Sequence, residues 1–200
     1  MKGKTMNKRT LKLSYNSPVI LTFAAVCLVT LILNTITKGF TNRLLFICYG
    51  HPSLMNPLTY LRSFSYVFGH SGFAHFAGNM TMLLLVGPIA EERYGSWNLC
   101  IIMGVTALAG GILNMIFFST GILGASGIVF TMIILSAFTN MKKGEIPLTL
   151  ILIAAIYLGQ EIYAGFTAND NVSHFGHICG GLSGLGFGVY YYKKKFEITR

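Results

Sequence analysis

Apolar residues gather into six long runs, separated by polar breaks or breaks marked by glycine and proline. The runs cover approximately Ser17–Thr37, Gly72–Glu92, Trp97–Thr120, Ser126–Asn140, Ile146–Ala164 and Val172–Tyr192. Most hold roughly 17–25 residues, the length a helix needs to cross the hydrocarbon core of a bilayer. Between Arg93 and Lys142 there is no charged residue at all. The pattern predicts an all-α membrane protein with six spanning helices in one compact bundle. The fourth run is short for a lipid-facing helix. A short helix can start below the membrane surface where protein or water surrounds its end, and that end carries Ser126.

The longest break, roughly Lys38–Ser71, separates the first two runs. It contains apolar stretches too short to cross, Leu44–Tyr49 and Leu58–Phe68, set apart by Gly50, Pro52 and Pro57. Such stretches read as interfacial or re-entrant elements, and a loop of this length in a compact protein is usually functional. Gly87-Pro88 is expected to bend or end the second helix. The first run is too long for a signal-peptide core, and Asn34-Thr35-Ile36-Thr37-Lys38 offers no small-x-small cleavage site, so it reads as a retained span.

Composition agrees with this class. The chain of 200 residues is 53% hydrophobic and 10% charged, where a soluble domain carries about 25% charged residues. A net charge of +9 raises nucleic acid as a partner, but its distribution argues for a bilayer instead. With six spans both termini share one side, together with Lys2, Lys4, Lys8, Arg9, Lys12, Arg93, Lys142, Lys143, Lys193, Lys194, Lys195 and Arg200. Lys38, Arg43 and Arg62 lie opposite. This positive-inside asymmetry predicts cytoplasmic termini. The chain then divides into a basic N-terminus over residues 1–16, a single membrane domain over 17–192 and a basic C-terminus over 193–200. Cys27, Cys100 and Cys179 sit within runs and Cys48 in the long loop, with no CxxC pair. They read as buried apolar residues rather than as disulfide or zinc ligands.

Three polar clusters remain as candidates for chemistry. Ser126 has glycine two residues before it and one after, in Gly124-Ala125-Ser126-Gly127. Glycines permit a sharp turn and close approach of other backbone. The free N–H groups and dipole of a helix N-terminus favour a developing anion there. The plainer reading is an N-cap serine after a glycine-containing loop. His177 is followed by Gly180, Gly184 and Gly188, a small-residue stripe that lets two helices pack backbone to backbone. An intramembrane His is a functional candidate by default, and histidine is the usual base for a serine nucleophile. Simple helix packing, with His177 bonded to a carbonyl, is the alternative. His174, one turn earlier, is expected at the membrane interface. Finally, His75 and Asn79 lie four apart on one helix face and can both donate hydrogen bonds. They suit either an oxyanion hole or a polar packing pair.

No carboxylate occurs near His70 or His75 and no HExxH is present, so no metal or organic cofactor is expected. A proton-coupled transporter usually places Asp or Glu at mid-membrane, and these runs hold none at depth. A Ser-His-Asp triad needs an acid to orient His177. The nearest candidates are Asp170 and Glu161. Asp170 would lie about 10 Å away along a helix axis, out of reach. The expectation is a Ser126–His177 dyad without a carboxylate, its ring held by something else. Phe130, four residues after Ser126 and on the same helical face, is one option for stacking.

Taken in order, these residues resemble the rhomboid family of intramembrane serine proteases. The resemblance is carried by Arg62, His70, His75-x-x-x-Asn79, Glu91, Arg93, Gly95-Ser96, Gly124-Ala125-Ser126-Gly127 and His177-x-x-Gly180-x-x-x-Gly184. It implies a six-helix rhomboid-like bundle whose serine lies below the outer surface in a water-filled cavity. It implies Ser126 as nucleophile, His177 as general base and acid, and an oxyanion hole of His75, Asn79 and the Ser126 N–H. Arg62, His70, Gly124, Gly127, Phe130, Gly180 and Gly184 would support them. Substrates would be membrane-spanning segments of other proteins that unwind locally, with a small residue before the cut. The fifth span and the loop before the sixth would act as gate and cap. The likeness also implies a plasma membrane of bacterial type, with the site opening to the outside. Leu61 stands where relatives often carry tryptophan, and Phe130 where some carry tyrosine. The alternative is a rhomboid-like protein that holds membrane clients without cutting them. Intact Ser126, His177, His75 and Asn79 argue against it.

Overall fold

The computed structural model describes residues 14–139, 141–167 and 173–197. Lys2, Lys4, Lys8, Arg9, Lys12, Asp170 and Arg200 lie outside the described residues. Among the described residues the chain is helical, with one isolated antiparallel bridge between Cys48 and Ile122. The first apolar run forms α1 (Pro18–Ile36), opened by a proline at its first turn, where the missing N–H has no helical partner to lose. The long break folds into a π-helical turn (Asn42–Phe46), the short helix α2 (Pro57–Ser65) and a 3-10 turn (Tyr66–Phe68). The later runs form α3 (Phe73–Tyr94), α4 (Ser96–Phe117), α5 (Ser126–Ala137), α6 (Leu148–Thr167) and α7 (His174–Glu197).

Of the six expected spans, α1, α3, α4 and α6 are long and apolar enough to cross a membrane, and α5 is apolar but short. Leu28, Ile32, Leu85, Ile101, Val105 and Leu108 are exposed on α1, α3 and α4. Such apolar surface suits lipid rather than water. α3 does not end at Gly87-Pro88 but continues to Tyr94. Pro88 removes one intrahelical bond, and Gly87 lets Ile20 of α1 pack against the helix. A Cβ at Gly87 would lie 2.7 Å from the Ile20 side chain.

α5 is the central helix, packed against α3, α4, α6 and α7. Ile128, Val129, Thr131, Met132, Ile133, Ile134 and Leu135 bury almost its whole circumference, as expected of a helix that is apolar all round. The glycine stripe of α7 meets it. A Cβ at Gly180 would fall 2.0 Å from the Gly127 carbonyl oxygen, and one at Gly184 would fall 2.9 Å from that of Thr131. Thr131 Oγ1 donates to the Gly180 carbonyl at 2.8 Å. Cys27, Cys48 and Cys179 are buried free thiols, while Cys100 is exposed.

Three polar devices fix the frame. The buried Glu91 carboxylate accepts from the backbone N–H groups of Val19 (3.0 Å) and Ile20 (3.1 Å) and from Ser96 Oγ (2.7 Å). It thereby satisfies orphan donors at the start of α1. On the other side, Arg62 donates to the carbonyls of Leu44 (2.9 Å) and Arg43 (3.2 Å) and lies 5.2 Å over the Tyr49 ring. This anchors the long loop although Leu61 precedes it. Asn114 Nδ2 holds the carbonyls of Cys48 and Thr120, both at 3.1 Å. The loop and the approach to Ser126 are thus tied to one another.

Candidate active site

Ser126 is the first residue of α5, partly exposed, behind a loop pinned at two points. Cys48 and Ile122 exchange backbone hydrogen bonds at 3.0 and 2.9 Å, and the Gly124 N–H donates to the Tyr66 carbonyl at 2.9 Å. Gly124 has φ +127, a conformation that side-chain-bearing residues rarely adopt. The space beside it is also taken. A Cβ there would meet the His75 Nε2 at 2.8 Å and the Asn79 Nδ2 at 3.7 Å. The two expected donors therefore converge over the Gly124-Ala125-Ser126 turn.

Each donor has a holder. Ser71 Oγ lies 3.1 Å from His75 Nδ1, leaving Nε2 toward the turn. Asn79 Nδ2 donates to His70 Nε2 at 3.2 Å, and His70 Nδ1 donates to the Phe68 carbonyl at 3.2 Å. These partners fix His70 as the neutral Nδ1–H tautomer. Its ring meets those of His75 (5.1 Å) and Phe76 (5.5 Å) edge-on. His70 is fully buried. Burial, then the neighbouring His75, push its pKa down to about 4, partly offset by the Phe68 carbonyl.

His177 lies in the first turn of α7. Its ring stacks on Phe130, centroids 4.6 Å apart and planes 8° from parallel. Tyr157 of α6 meets the Phe130 ring edge-on at 5.5 Å. Ser126 and Phe130 share a helix face, so the imidazole sits on the face of α5 that begins with Ser126. The Gly127–Gly180 contact below, with a Gly127 Cβ only 3.2 Å from the Gly176 carbonyl, brings the two backbones together.

The expectation that no carboxylate reaches His177 is corrected. Glu161 Oε2 lies 2.9 Å from His177 Nδ1 and 2.8 Å from His174 Nδ1. The His174 contact is an aligned hydrogen bond. The His177 contact is close but off the hydrogen-bonding line, and among the described residues its buried Nδ1 has no hydrogen-bond partner. His174 is itself only 14% exposed, packed in a cluster with Glu161 and His177. α6 and α7 run side by side, with a Gly165 Cβ 3.6 Å from that of His174. The last turns of α6 thus face the first turn of α7. The signal lay in a carboxylate 13 residues before a His-x-x-His pair, across a connection too short for anything but antiparallel neighbours. Ser71 and Tyr157 also support the site, and neither stands in a recognisable motif. Next to the cluster, a cavity of ≈ 710 Å³ is lined by residues that include Asn114, Phe118, Phe166, Ser173 and His174.

A family model of the Rhomboid domain matches residues 57–194, more than half of the chain and all of the clusters just described. The chain belongs to the rhomboid family. It is similar to Rhomboid-related protein 1 of Caenorhabditis elegans, 34% identical over 134 residues, which are 62% of this chain and 38% of that protein. It is similar to Rhomboid-related protein 2 of Mus musculus, 29% identical over 157 residues, 68% of this chain and 52% of that protein. It is also similar to Rhomboid protease GluP of Bacillus subtilis, 31% identical over 169 residues, 80% of this chain and 32% of that protein. The chain spans about a third to a half of the length of these relatives. As a rhomboid it is an integral membrane protein, in keeping with its apolar helices.

Proposed function

We propose that the chain is an intramembrane serine endopeptidase that cleaves membrane-spanning segments of other proteins. The observation that carries this reading is the flat stack of His177 on Phe130, which keeps an imidazole on the Ser126 face of α5. With Nδ1 turned to Glu161, Nε2 is the nitrogen left to serve the serine. It takes the proton from Ser126 Oγ as Oγ attacks the peptide carbonyl carbon. The resulting oxyanion faces the donors gathered over Gly124, His75 Nε2–H and Asn79 Nδ2–H, and the N–H of Ser126. Each such donor is worth roughly 3–4 kcal/mol in the transition state. His177 returns the proton to the leaving amine, leaving an acyl-Ser126. A water then repeats the attack, with the imidazole again as base.

Water reaches this site from the face on which the long loop lies, because hydrocarbon holds none. Both termini are cytoplasmic in this reading, by the excess of Lys and Arg beside them. The test is covalent labelling of detergent-purified protein with a fluorophosphonate or isocoumarin probe, beside Ser126→Ala and His177→Ala. Labelling of the wild type alone is expected. Equal labelling of Ser126→Ala overturns the nucleophile assignment. A folded wild type that does not label favours the reading as a client-binding protein without cleavage.

A further inference from the structure

We propose that Glu161, His174 and His177 form a site for a divalent transition-metal ion of the zinc type, and that its occupation silences Ser126. The silencing rests on the hydrolytic reading above; the site itself does not. One ligand atom from each residue lies within 4.8 Å of the others. Zinc takes imidazole nitrogens and carboxylate oxygens at about 2.0–2.2 Å, and two imidazoles with one carboxylate are an established donor set. Tetrahedral ligands at that radius stand about 3.3 Å apart. The carboxylate oxygen lies 2.8 and 2.9 Å from the two Nδ1 atoms and all three ligand atoms lie within 4.8 Å of one another, so side-chain rotation that opens the oxygen–nitrogen distances admits the ion. His174 and His177 are three apart on one helix, hence on one face. Glu161 comes from the neighbouring helix, so the site clamps α6 to α7.

A second observation points into the same space. His177 Nδ1 is buried and, among the described residues, lacks a hydrogen-bond partner. An unsatisfied buried polar atom costs roughly 1–3 kcal/mol and calls for an explanation. A cation bound there would use that atom and would neutralise the partly buried carboxylate. The cavity bordered by His174 offers a route in from outside the cluster, and a fourth ligand position remains for water.

The consequence for Ser126 follows from the imidazole. A metal on Nδ1 uses that lone pair. The Nδ1–H bond breaks, the metal–nitrogen bond forms, and the ring proton resides on Nε2. A neutral ring protonated at Nε2 has no lone pair to take the serine proton. Metal binding and general-base action by His177 therefore exclude one another.

The test uses the full chain in detergent. Titration with Co²⁺ is expected to give the visible d–d absorption of a tetrahedral nitrogen and oxygen site, and Zn²⁺ to displace it. His174→Ala and Glu161→Gln, each checked for folding by thermal unfolding, are expected to weaken binding by about 10–100-fold or more. Zn²⁺ is expected to block probe labelling of wild-type Ser126, reversibly by chelator, and to leave the labelling of His174→Ala intact. Absent d–d absorption in folded wild type overturns the site, as does undiminished absorption in both variants. Absorption lost in the variants while Zn²⁺ leaves wild-type labelling untouched overturns the silencing. A wild type that never labels defeats the hydrolytic reading instead, and the cobalt titration still decides the site.

Discussion

The imidazole of His177 and the ring of Phe130 lie almost parallel, 8° apart, with centroids at 4.6 Å. Phe130 projects from the helix that Ser126 opens, so the stack couples the orientation of His177, the proposed base, to the position of Ser126, the proposed nucleophile. Aromatic pairs are worth about 0.5–1.5 kcal/mol beyond burial. Phe130→Ala is therefore expected to lower kcat by up to about 10-fold with KM little changed. Phe130→Tyr keeps the stacking face and should retain most of the activity. Wild-type kcat in Phe130→Ala would show that the stack does not orient the ring.

Asn79 has one observed and one proposed task, and they are separable. One amide hydrogen goes to His70 Nε2 and the other is free for the oxyanion. Asn79→Ala is expected to lower kcat about 100- to 1,000-fold, the usual loss for one such donor. It also orphans a buried acceptor, at about 1–3 kcal/mol of stability. His70→Gln disturbs only the holder. It should slow turnover less than Asn79→Ala does. Paired measurements of kcat and Tm in detergent separate the two roles, and equal kcat losses in both variants would refute direct participation of Asn79.

His70 also makes stability depend on pH. Its folded pKa is lowered to about 4, below the unfolded value near 6.5. The unfolded chain therefore binds the proton first. Stability contributed by neutral His70 is complete above about pH 6.5 and is lost as pH falls toward 4. Each pKa unit is about 1.4 kcal/mol, so the loss is on the order of 3 kcal/mol. Tm of the wild type should fall across that window more steeply than Tm of His70→Gln. Parallel curves would remove His70 as the group responsible.

What the sequence revealed was mostly local. The glycines around Ser126, the pairing of His75 with Asn79, and the stripe Gly180, Gly184, Gly188 declare themselves through spacing on one helix. So did the placement of Phe130 relative to Ser126. The reach of Glu161 to His177 is not legible in the sequence, because it depends on how α6 lies beside α7. Distance along the α7 axis excludes Asp170 but says nothing of Glu161, which reaches His177 from the neighbouring helix. Of the bend or end expected at Gly87-Pro88, the end is not met, for a related reason. Proline opposes helix continuation locally, yet α3 runs through it with Ile20 of α1 packed at Gly87. The role of Glu91 was visible only as a motif residue. Its hydrogen bonds to the start of α1 join residues more than 70 positions apart.

That capping contact is testable. Glu91 accepts three hydrogen bonds while only 4% exposed. Hydrogen bonds to charged groups contribute about 1.5–3 kcal/mol each, and orphaned donors add their own penalty. Glu91→Ala is expected to destabilise by about 3–5 kcal/mol, and Glu91→Gln by less, since the amide keeps one acceptor oxygen. Both are far from Ser126, so protein that remains folded should label at the wild-type rate. A Tm for Glu91→Ala equal to that of the wild type would show that α1 does not depend on this cap.

Two glycines of α7 give opposite expectations for the same substitution. Alanine is favoured over glycine in a helix interior by about 1 kcal/mol, and at Gly186 an added Cβ meets nothing within 4 Å. Gly186→Ala should therefore be neutral or slightly stabilising. At Gly180 the same methyl would lie 2.0 Å from the Gly127 carbonyl oxygen, and backbone cannot step aside as a side-chain tip can. Overpacking of this kind typically costs 1–3 kcal/mol. The only relief is to part α5 from α7, and those two helices carry Ser126 and His177. Gly180→Ala should thus lower Tm and also slow probe labelling of Ser126 in the fraction that remains folded. The two effects have one cause, the spacing of the backbones at residues 127 and 180. If Gly180→Ala matched Gly186→Ala in both Tm and labelling rate, close packing of α5 on α7 would not be what holds His177 against Ser126.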